Sequence, residues 1–344
     1  MNYVFCFDGT TNRPENAEDV FSNTSITNVL KTHLFCGGSL DNEKHAIEGQ
    51  QTFYFSGVGT YGNWLSQMLN TMFAPTFSDL DSILAMALSF TQELSEEDAI
   101  FIFGFSRGAA IARRFASILS EKGISITFLG VYDTVASIGM PDLDHQTQPV
   151  SDVVFENSCI APNVKSAVHC VAIDERRTAF QPVLMAPGSN VKEVWFAGAH
   201  SDIGGGYWHD GLSDVCLDFM LSEAQDKGLK LLNLHQIDFA TLIQGDSQIG
   251  SDDVAIHAQF DGPLHQQKRD GLLSNKTLSE RLIRVDCNED CLPLIHHSVA
   301  KRFNTLRNYR PISLRNKPFQ LLLANNQRSD IIFGIEGLRA YHSE

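Results

Sequence analysis

Short apolar segments alternate along the chain with longer segments whose apolar residues recur at helical spacing. The apolar segments predict strands near 3–7, 52–56, 99–105, 124–132, 167–173 and 191–197. The helical repeats predict helices near 64–73, 77–95, 108–121, 213–227 and 298–308. Strands that alternate with helices are typical of a mainly parallel sheet that is covered by helices on both faces. The pattern therefore predicts an α/β fold.

Two long segments between these elements lack a clear repeat. Residues 8–50 are polar and rich in turn formers, which predicts a loop over the carboxyl edge of the sheet. Residues 232–292 are predicted to be an insertion of irregular structure or a cap. Because no interdomain linker stands out, residues 1–344 are predicted to form a single α/β domain.

Composition and charge narrow the classes of function. With 43% hydrophobic and 19% charged residues, the 344-residue chain is typical of a globular protein. A formal charge of −15 argues against nucleic acid as a partner. No apolar run reaches the length of a transmembrane helix, and residues 2–8 read as a strand rather than as a signal peptide. Synthesis in the cytoplasm is the plain expectation.

The seven cysteines form an odd set without the spacing of a disulfide framework, which predicts a reduced interior. Cys6, Cys170 and Cys216 lie in apolar contexts that are typical of core residues. Cys287 and Cys291 lack further ligands at the spacing that zinc requires. No metal site is therefore predicted.

The segment around Ser106 carries the most specific local pattern. The apolar run 99–103 precedes Gly104-Phe105-Ser106-Arg107-Gly108, and a helical repeat follows it. A strand, G-x-S-x-G and a helix together form the context of a nucleophile elbow, in which a tight turn exposes the serine hydroxyl. The glycines remove Cβ atoms that would clash at such a turn. Ser106 is therefore the predicted nucleophile, with an ordinary glycine-rich turn as the alternative.

A serine hydroxyl needs a base to take its proton and a carboxylate to orient that base. Asp133 follows the predicted strand 124–132, and His200 follows the predicted strand 191–197. Both loops are expected at the carboxyl edge of the sheet, where open α/β sheets place their sites. We predict Asp133 as the acid and His200 as the base.

Asp202 is a competing acid, because it also lies on a loop downstream of a strand and of the serine. In that case the base would come from His265 or His296. Alternatively, Asp202 accepts hydrogen bonds from backbone amides in the glycine-rich turn 204–206 and shapes the loop around His200.

Two further features concern the surroundings of the predicted site. An oxyanion hole needs two N–H donors. They are expected from the amide of Arg107 and from the loop Asp8-Gly9-Thr10 after the first strand, which would line the substrate. Residues 174–177, Asp-Glu-Arg-Arg, are predicted to form an internal ion-pair network that holds the loops of Asp133 and His200.

Two other classes of function stay open at this point. Residues 57–62 form a G-x-G-x-x-G after a predicted strand, which is a pattern of nicotinamide-dinucleotide-binding oxidoreductases. The second strand that such a fingerprint requires, with an acid at its end, is missing, so a glycine loop that lines a hydrolase site is favoured. The remaining alternative is a binding module that keeps the hydrolase fold without catalysis.

Taken together, these residues resemble the catalytic domain of the class-one lipase effectors of type VI secretion, a domain that is also found in uncharacterised bacterial and fungal proteins. The resemblance covers roughly residues 3–225, and His296-His297-Ser298-Val299 also fits. The matching pieces are Phe7-Asp8-Gly9-Thr10, Gly57-Val58-Gly59-Thr60, Gly104-Phe105-Ser106-Arg107-Gly108-Ala109, Gly130-Val131-Tyr132-Asp133-Thr134-Val135, Ala172-Ile173-Asp174-Glu175-Arg176-Arg177 with Phe180, and 195–207.

The resemblance implies an α/β-hydrolase fold and a Ser–Asp–His triad, in which Ser106 falls on the nucleophile, Asp133 on the acid and His200 on the base. It further implies a phospholipase A-type hydrolysis of glycerophospholipid acyl esters by an antibacterial effector. The mechanism requires no metal or organic cofactor. The expected partners are a lipid or another ester as substrate, a secretion spike protein and an immunity protein. Delivery by type VI secretion without a cleaved signal peptide is expected.

Overall fold

A computed structural model of the chain describes residues 1–9, 24–57, 77–92, 94–135, 159–244, 247–265, 278–286 and 291–341. Its strands are β1 Asn2–Phe7, β2 Gln50–Phe55, β3 Ala99–Phe105, β4 Phe128–Tyr132, β5 Ala167–Ala172, β6 Val191–Phe196, β7 Ile243–Gln244, β8 Ser247–Gln248, β9 Leu294–His296, β10 Pro318–Leu322 and β11 Ile332–Phe333. Its helices are α1 Asn28–Phe35, α2 Phe77–Ser89, α3 Arg107–Glu121, α4 His200–Gly204, α5 Gly211–Gln225, α6 Ser251–Val254 and α7 His297–Thr305.

One nine-stranded sheet organises these elements, in the order β11-β10-β9-β6-β5-β4-β3-β1-β2. Its strands pair in parallel, except that β11 runs antiparallel to β10 at one edge. The strands β7 and β8 pair antiparallel with each other, apart from this sheet. The predicted mainly parallel α/β sheet is confirmed.

Helices cover both faces of this sheet, and β3 shows why its sequence is apolar throughout. Phe101 and Phe103 pack in the core with α1 and α5, whereas Ile100 and Ile102 pack in the core with α2 and α3. Successive side chains of a strand point to opposite faces, so a strand that is buried on both faces has no polar positions.

Most predicted elements form close to their expected bounds. The predicted strand 124–132 begins as regular structure only at Phe128, and the predicted helix 64–73 lies outside the described residues. The last strands, β9 to β11, were not predicted, because they are short and Leu294–His296 has only three residues. The described part of 232–292 contains β7, β8, α6 and 3-10 turns, and its role as a cap stays a prediction.

The prediction of a loop over the whole of 8–50 is wrong, because residues 28–35 form α1. Thr27 caps this helix: its Oγ1 accepts a hydrogen bond from the amide of Leu30 at 3.3 Å. Every residue of α1 is buried, including Lys31. The Lys31 ammonium lies 2.6 Å from Asp210, which directly precedes α5, and 2.9 Å from Asp214, which lies on that helix. Because polar residues such as Lys31 are buried in α1 together with the apolar ones, the apolar residues do not recur at helical spacing. The sequence pattern therefore did not predict this helix.

The two glycines around Ser106 allow a close approach of backbone to backbone. A Cβ atom on Gly108 would lie 2.2 Å from the carbonyl oxygen of Asp8, and one on Gly104 would lie 2.6 Å from the carbonyl oxygen of Gly108. The first turn of α3 can therefore pack directly on the end of β1. This contact brings the loop after β1 next to the turn that carries Ser106.

Replacing Gly108 with alanine is expected to lower the free energy of unfolding by about 3 kcal/mol, because an overpacked methyl group must displace backbone. The measurement is the urea midpoint of the variant. Gly123→Ala is the control: space is open around Gly123, so only its φ of +74° is costly there. A Gly108→Ala variant as stable as the parent chain would contradict the tight packing of α3 on β1.

No helix within the described ranges combines the length and apolar character that crossing a membrane would need.

Candidate active site

Ser106 occupies the turn between β3 and α3. Its backbone has φ 58° and ψ −124°, a conformation that is uncommon for a residue with a side chain. Two hydrogen bonds hold the turn against the end of β4 and the loop after it: the amide of Ser106 donates to the carbonyl of Tyr132 at 3.1 Å, and the amide of Val135 donates to the carbonyl of Ser106 at 3.3 Å. The surrounding structure thus imposes the strained turn that the glycine pattern predicts.

The structure brings Ser106, His200 and Asp133 into one hydrogen-bonded series. The Nε2 atom of His200 lies 2.8 Å from Oγ of Ser106. Its Nδ1 atom lies 2.6 Å from Oδ2 of Asp133. An ionised carboxylate only accepts hydrogen bonds, so Nδ1 carries the proton and Nε2 is left to accept from the serine hydroxyl. All three side chains are buried.

Each residue reaches this place from the carboxyl end of a different parallel strand. Asp133 follows β4 directly, with a φ of 38°, and its amide donates to the carbonyl of Cys170 on β5. His200 begins α4, the short helix after β6. Because these strands run in parallel, residues far apart in sequence meet at one edge of the sheet.

The electrostatic environment favours a neutral His200 and an ionised Asp133. Burial lowers the pKa of His200, although the hydrogen bond and charge of Asp133 oppose this shift. Two aromatic rings contribute to the burial, with centroids 4.7 Å (Phe105) and 4.9 Å (Phe180) from that of the imidazole. Burial by itself would raise the pKa of Asp133, but Arg281 and His200 hold it well below its ordinary value.

Arg281 is a component of the site that the sequence patterns do not mark. Its Nη1 and Nη2 atoms lie 2.6 Å and 2.9 Å from the two carboxylate oxygens of Asp133. It also donates to the carbonyls of Ala172 and Phe180. Arg281 lies in 232–292, which the sequence predicts to be an insertion or a cap and where no periodicity marks a buried position. Its contact with Asp133, which is distant in sequence, is what identifies Arg281 as part of the site.

Carboxylates also hold the backbone that leads into His200. The amide of Gly198 donates to Asp174 at 2.8 Å, that of Ala199 to Asp202 at 2.9 Å, and that of His200 to Glu175 at 3.2 Å. Three successive amides at the start of α4 are thereby satisfied, where a helix has no backbone acceptors of its own.

The network that was predicted for residues 174–177 forms in part. Glu175 makes the ion pair with Arg177, at 2.8 Å, whereas Arg176 pairs with Glu280 at 3.2 Å. Asp174 instead accepts from the hydroxyl of Tyr309 at 2.9 Å, and burial raises the pKa of Asp174 to about 6. Both carboxylates therefore support the His200 loop, Asp174 through the amide of Gly198 and Glu175 through that of His200.

The alternative acid Asp202 and the alternative bases His265 and His296 have other partners. Asp202 pairs with His265, its Oδ1 2.6 Å from Nδ1, and the imidazole stacks on Tyr207 with centroids 4.0 Å apart. Asp202 thus shapes the loop around His200 through Ala199 and His265 rather than through the amides of 204–206. His296 lies 2.8 Å from the hydroxyl of Ser298 and caps α7. Among the described contacts, the two imidazole nitrogens of His200 bind Asp133 and Ser106, and neither Asp202 nor His296.

Asp8 and its neighbours border Ser106 through Gly108. The Oδ2 atom of Asp8 accepts from the hydroxyls of Tyr54 at 2.6 Å and Thr27 at 2.8 Å. Its Oδ1 atom accepts from the amide of Gly9 at 2.6 Å. The Gly9 amide, which was expected to face an oxyanion, therefore already has an acceptor in this structure. This leaves Asp8 as an anchor of the loop after β1.

Arg107 directly follows Ser106 and begins α3. Burial lowers the pKa of Arg107 to about 10. Thr10, residues 58–62 of the glycine fingerprint and Cys287 lie outside the described residues. Within the part of the chain that the structure describes, no group of three or more His, Cys, Asp or Glu side chains is arranged to hold a metal ion.

Known proteins resemble this chain over part of their length. It is 26% identical over 248 residues to the uncharacterized protein YEL023C of Saccharomyces cerevisiae, a match that spans 54% of this chain and 33% of the yeast protein. An uncharacterized protein from Pseudomonas aeruginosa has a structure with a TM-score of 0.48 and 21% identity, over 76% of this chain and 49% of that one. The chain thus spans from about a third to a half of these relatives.

A third similarity is to the structure of the Tle1 effector bound to the VgrG spike from the type VI secretion system, with a TM-score of 0.41 and 23% identity over 60% of this chain and 51% of that one. The family described as "T6SS, Phospholipase effector Tle1-like, catalytic domain" matches residues 1–125 and 120–223. These ranges hold Ser106, Asp133 and His200 and most of the chain. The chain belongs to the family of Tle1-like phospholipase effector catalytic domains.

Proposed function

We propose that this protein is a lipolytic serine hydrolase in which Ser106 is the nucleophile, His200 the general base and Asp133 the acid that orients it. One observation carries the proposal: the hydrogen-bonded series from Ser106 through His200 to Asp133, at 2.8 Å and 2.6 Å. A serine, an imidazole and a carboxylate in this order form the constellation that activates a hydroxyl for acyl transfer.

The reaction would begin when Nε2 of His200 takes the hydroxyl proton as Oγ of Ser106 attacks an ester carbonyl. Asp133 holds the imidazole and stabilises the imidazolium that forms. The amide of Arg107 is the proposed donor to the oxyanion, because that of Gly9 in the loop after β1 already donates to Asp8. His200 then protonates the leaving alcohol, and a water molecule repeats the sequence and releases the acyl group.

For the substrate we propose an acyl ester of a glycerophospholipid, cleaved in the manner of a phospholipase A. The support is that the chain belongs to a family whose description names phospholipase effectors. From the same membership we infer cytoplasmic synthesis and delivery by type VI secretion, with a spike protein and an immunity protein as partners. The solved Tle1 effector, which is bound to its VgrG spike, supports the spike partner. No observation favours the dinucleotide-binding or the silent-module alternative.

The proposal is tested by assaying the purified chain on short-chain esters and on vesicles of glycerophospholipid, with the Ser106→Ala variant as the blank. Release of fatty acid from the vesicles by the parent chain but not by the blank is expected. Cleavage of short esters alone would keep the hydrolase and remove the phospholipid substrate. Failure on all esters, together with no labelling of Ser106 by a fluorophosphonate probe, would contradict the proposed function.

A further inference from the structure

The acid of the catalytic series is bound to a second, oppositely charged group. Arg281 contacts both carboxylate oxygens of Asp133, and the side chains of both residues have no exposed surface. Two parallel N–H···O bonds fix a carboxylate in orientation as well as in charge. The oxygen that faces His200, Oδ2, is thereby held by Nη2 from the other side.

A strap of chain delivers Arg281 to this place. Leu278 forms an antiparallel bridge with Arg177, and the amide of Ser279 donates to the carbonyl of Arg176 at 2.8 Å. These contacts join residues 278–281 to the loop after β5. The strap lies outside residues 1–223, which match the family. A segment beyond the matched range thus completes the surroundings of Asp133.

The charged groups around His200 form two balanced pairs. Asp133, after β4, is paired with Arg281 of the strap, and Glu175, after β5, is paired with Arg177. On the short helix that also carries His200, Asp202 contacts the imidazole of His265. Asp133 and Glu175, the two carboxylates that would attract a proton to the imidazole of His200, are therefore each opposed by an arginine. A balanced charge stabilises imidazolium less than an unopposed carboxylate does.

We propose that Arg281 is a positioning residue that holds Asp133 in its ionised, correctly oriented form and keeps His200 unprotonated down to lower pH than an unopposed aspartate would allow. Arg281 thereby extends the activity of the hydrolase to lower pH. This inference rests on the proposed function, since it concerns the same base. It assigns to the strap a role in catalysis that acts through Asp133 and not through the substrate.

The test compares Arg281→Gln with Arg281→Lys. Without a cation, the Asp133–His200 pair takes up its proton at higher pH, so the acid limb of kcat/KM in Arg281→Gln is expected to move up by about one pH unit. Arg281→Lys keeps the charge and loses the two parallel bonds. Its acid limb is expected to stay in place while kcat falls. Arg113→Gln removes another buried arginine, whose guanidinium binds the carbonyl of Val183, and is expected to leave the limb unmoved.

A second readout does not depend on activity. In the Ser106→Ala background, the imidazole nitrogen signals of His200 are titrated by NMR, with His200→Gln for assignment. The same upward shift is expected for Arg281→Gln, whether or not any ester is cleaved. An unmoved titration in folded Arg281→Gln would overturn the proposal. If that variant does not fold, Arg281→Lys decides: an unmoved midpoint supports the role of the charge, and a midpoint raised as far as one pH unit contradicts it.

Discussion

Replacing Ser106 with alanine is expected to abolish ester hydrolysis, with a loss of kcat of at least about a thousandfold. The reason is that the hydroxyl 2.8 Å from His200 is the atom that we propose forms the acyl intermediate. The measurement is the initial rate on a short-chain ester, together with labelling of the protein by a fluorophosphonate. Labelling should disappear along with activity.

The fold should be unchanged in this variant, because only the hydroxyl of the serine is removed and alanine can adopt the same strained backbone conformation. Ser117→Ala, on the same helix, is the matched control and is expected to keep both rate and labelling. Full activity in Ser106→Ala would rule out the serine mechanism. Equal loss in Ser117→Ala would point to damage to α3 rather than to a missing nucleophile.

Replacing Asp133 with asparagine is expected to reduce kcat by roughly ten-thousandfold, because an amide can hold the imidazole of His200 in the wrong tautomer. Asp202→Asn, which removes the competing candidate for the acid, is expected to cost far less, about tenfold, because Asp202 contacts Ala199 and His265. The two variants are compared by kcat on one ester. A larger loss in Asp202→Asn would transfer the role of the acid to that residue.

Asp133→Asn should also destabilise the fold by about 3–5 kcal/mol, since the buried guanidinium of Arg281 loses its charge partner. The thermal midpoint therefore has to accompany the rates. The double variant Asp133→Asn/Arg281→Gln removes both charges, and is expected to recover stability without recovering activity. Recovery of activity in the double variant would show that the single variant was inactive only because it unfolded.

The resemblance and the local patterns led to the same three residues. Gly104 has to be glycine for a reason that is visible in the sequence pattern, namely a tight strand-to-helix turn, whereas Gly108 has to be glycine because the end of β1 packs against it. Asp133 and His200 follow strands, and the rule that parallel strands end at a common edge is enough to place them near Ser106. Local and topological rules therefore reached much of the candidate site.

The helix α1 shows where such rules stop. Lys31 and Thr32 are buried, so residues 28–35 have no polar face to mark a helix. The ammonium of Lys31 is compensated by Asp210 and Asp214, about 180 residues along the chain. A pattern that is read over a window of residues cannot include a partner at that separation.

The sequence by itself determined the alternation of strands and helices, the elbow at Ser106 and the two residues most able to serve it. Each of these rests on neighbours in the chain: apolar runs, glycines at a turn, and polar residues directly after strands. The tertiary structure alone decided that Asp133 rather than Asp202 contacts His200, that Gly9 donates to Asp8, and that Arg281 closes the site. These choices depend on which buried charges meet, and that is fixed only when distant segments pack together and leave water.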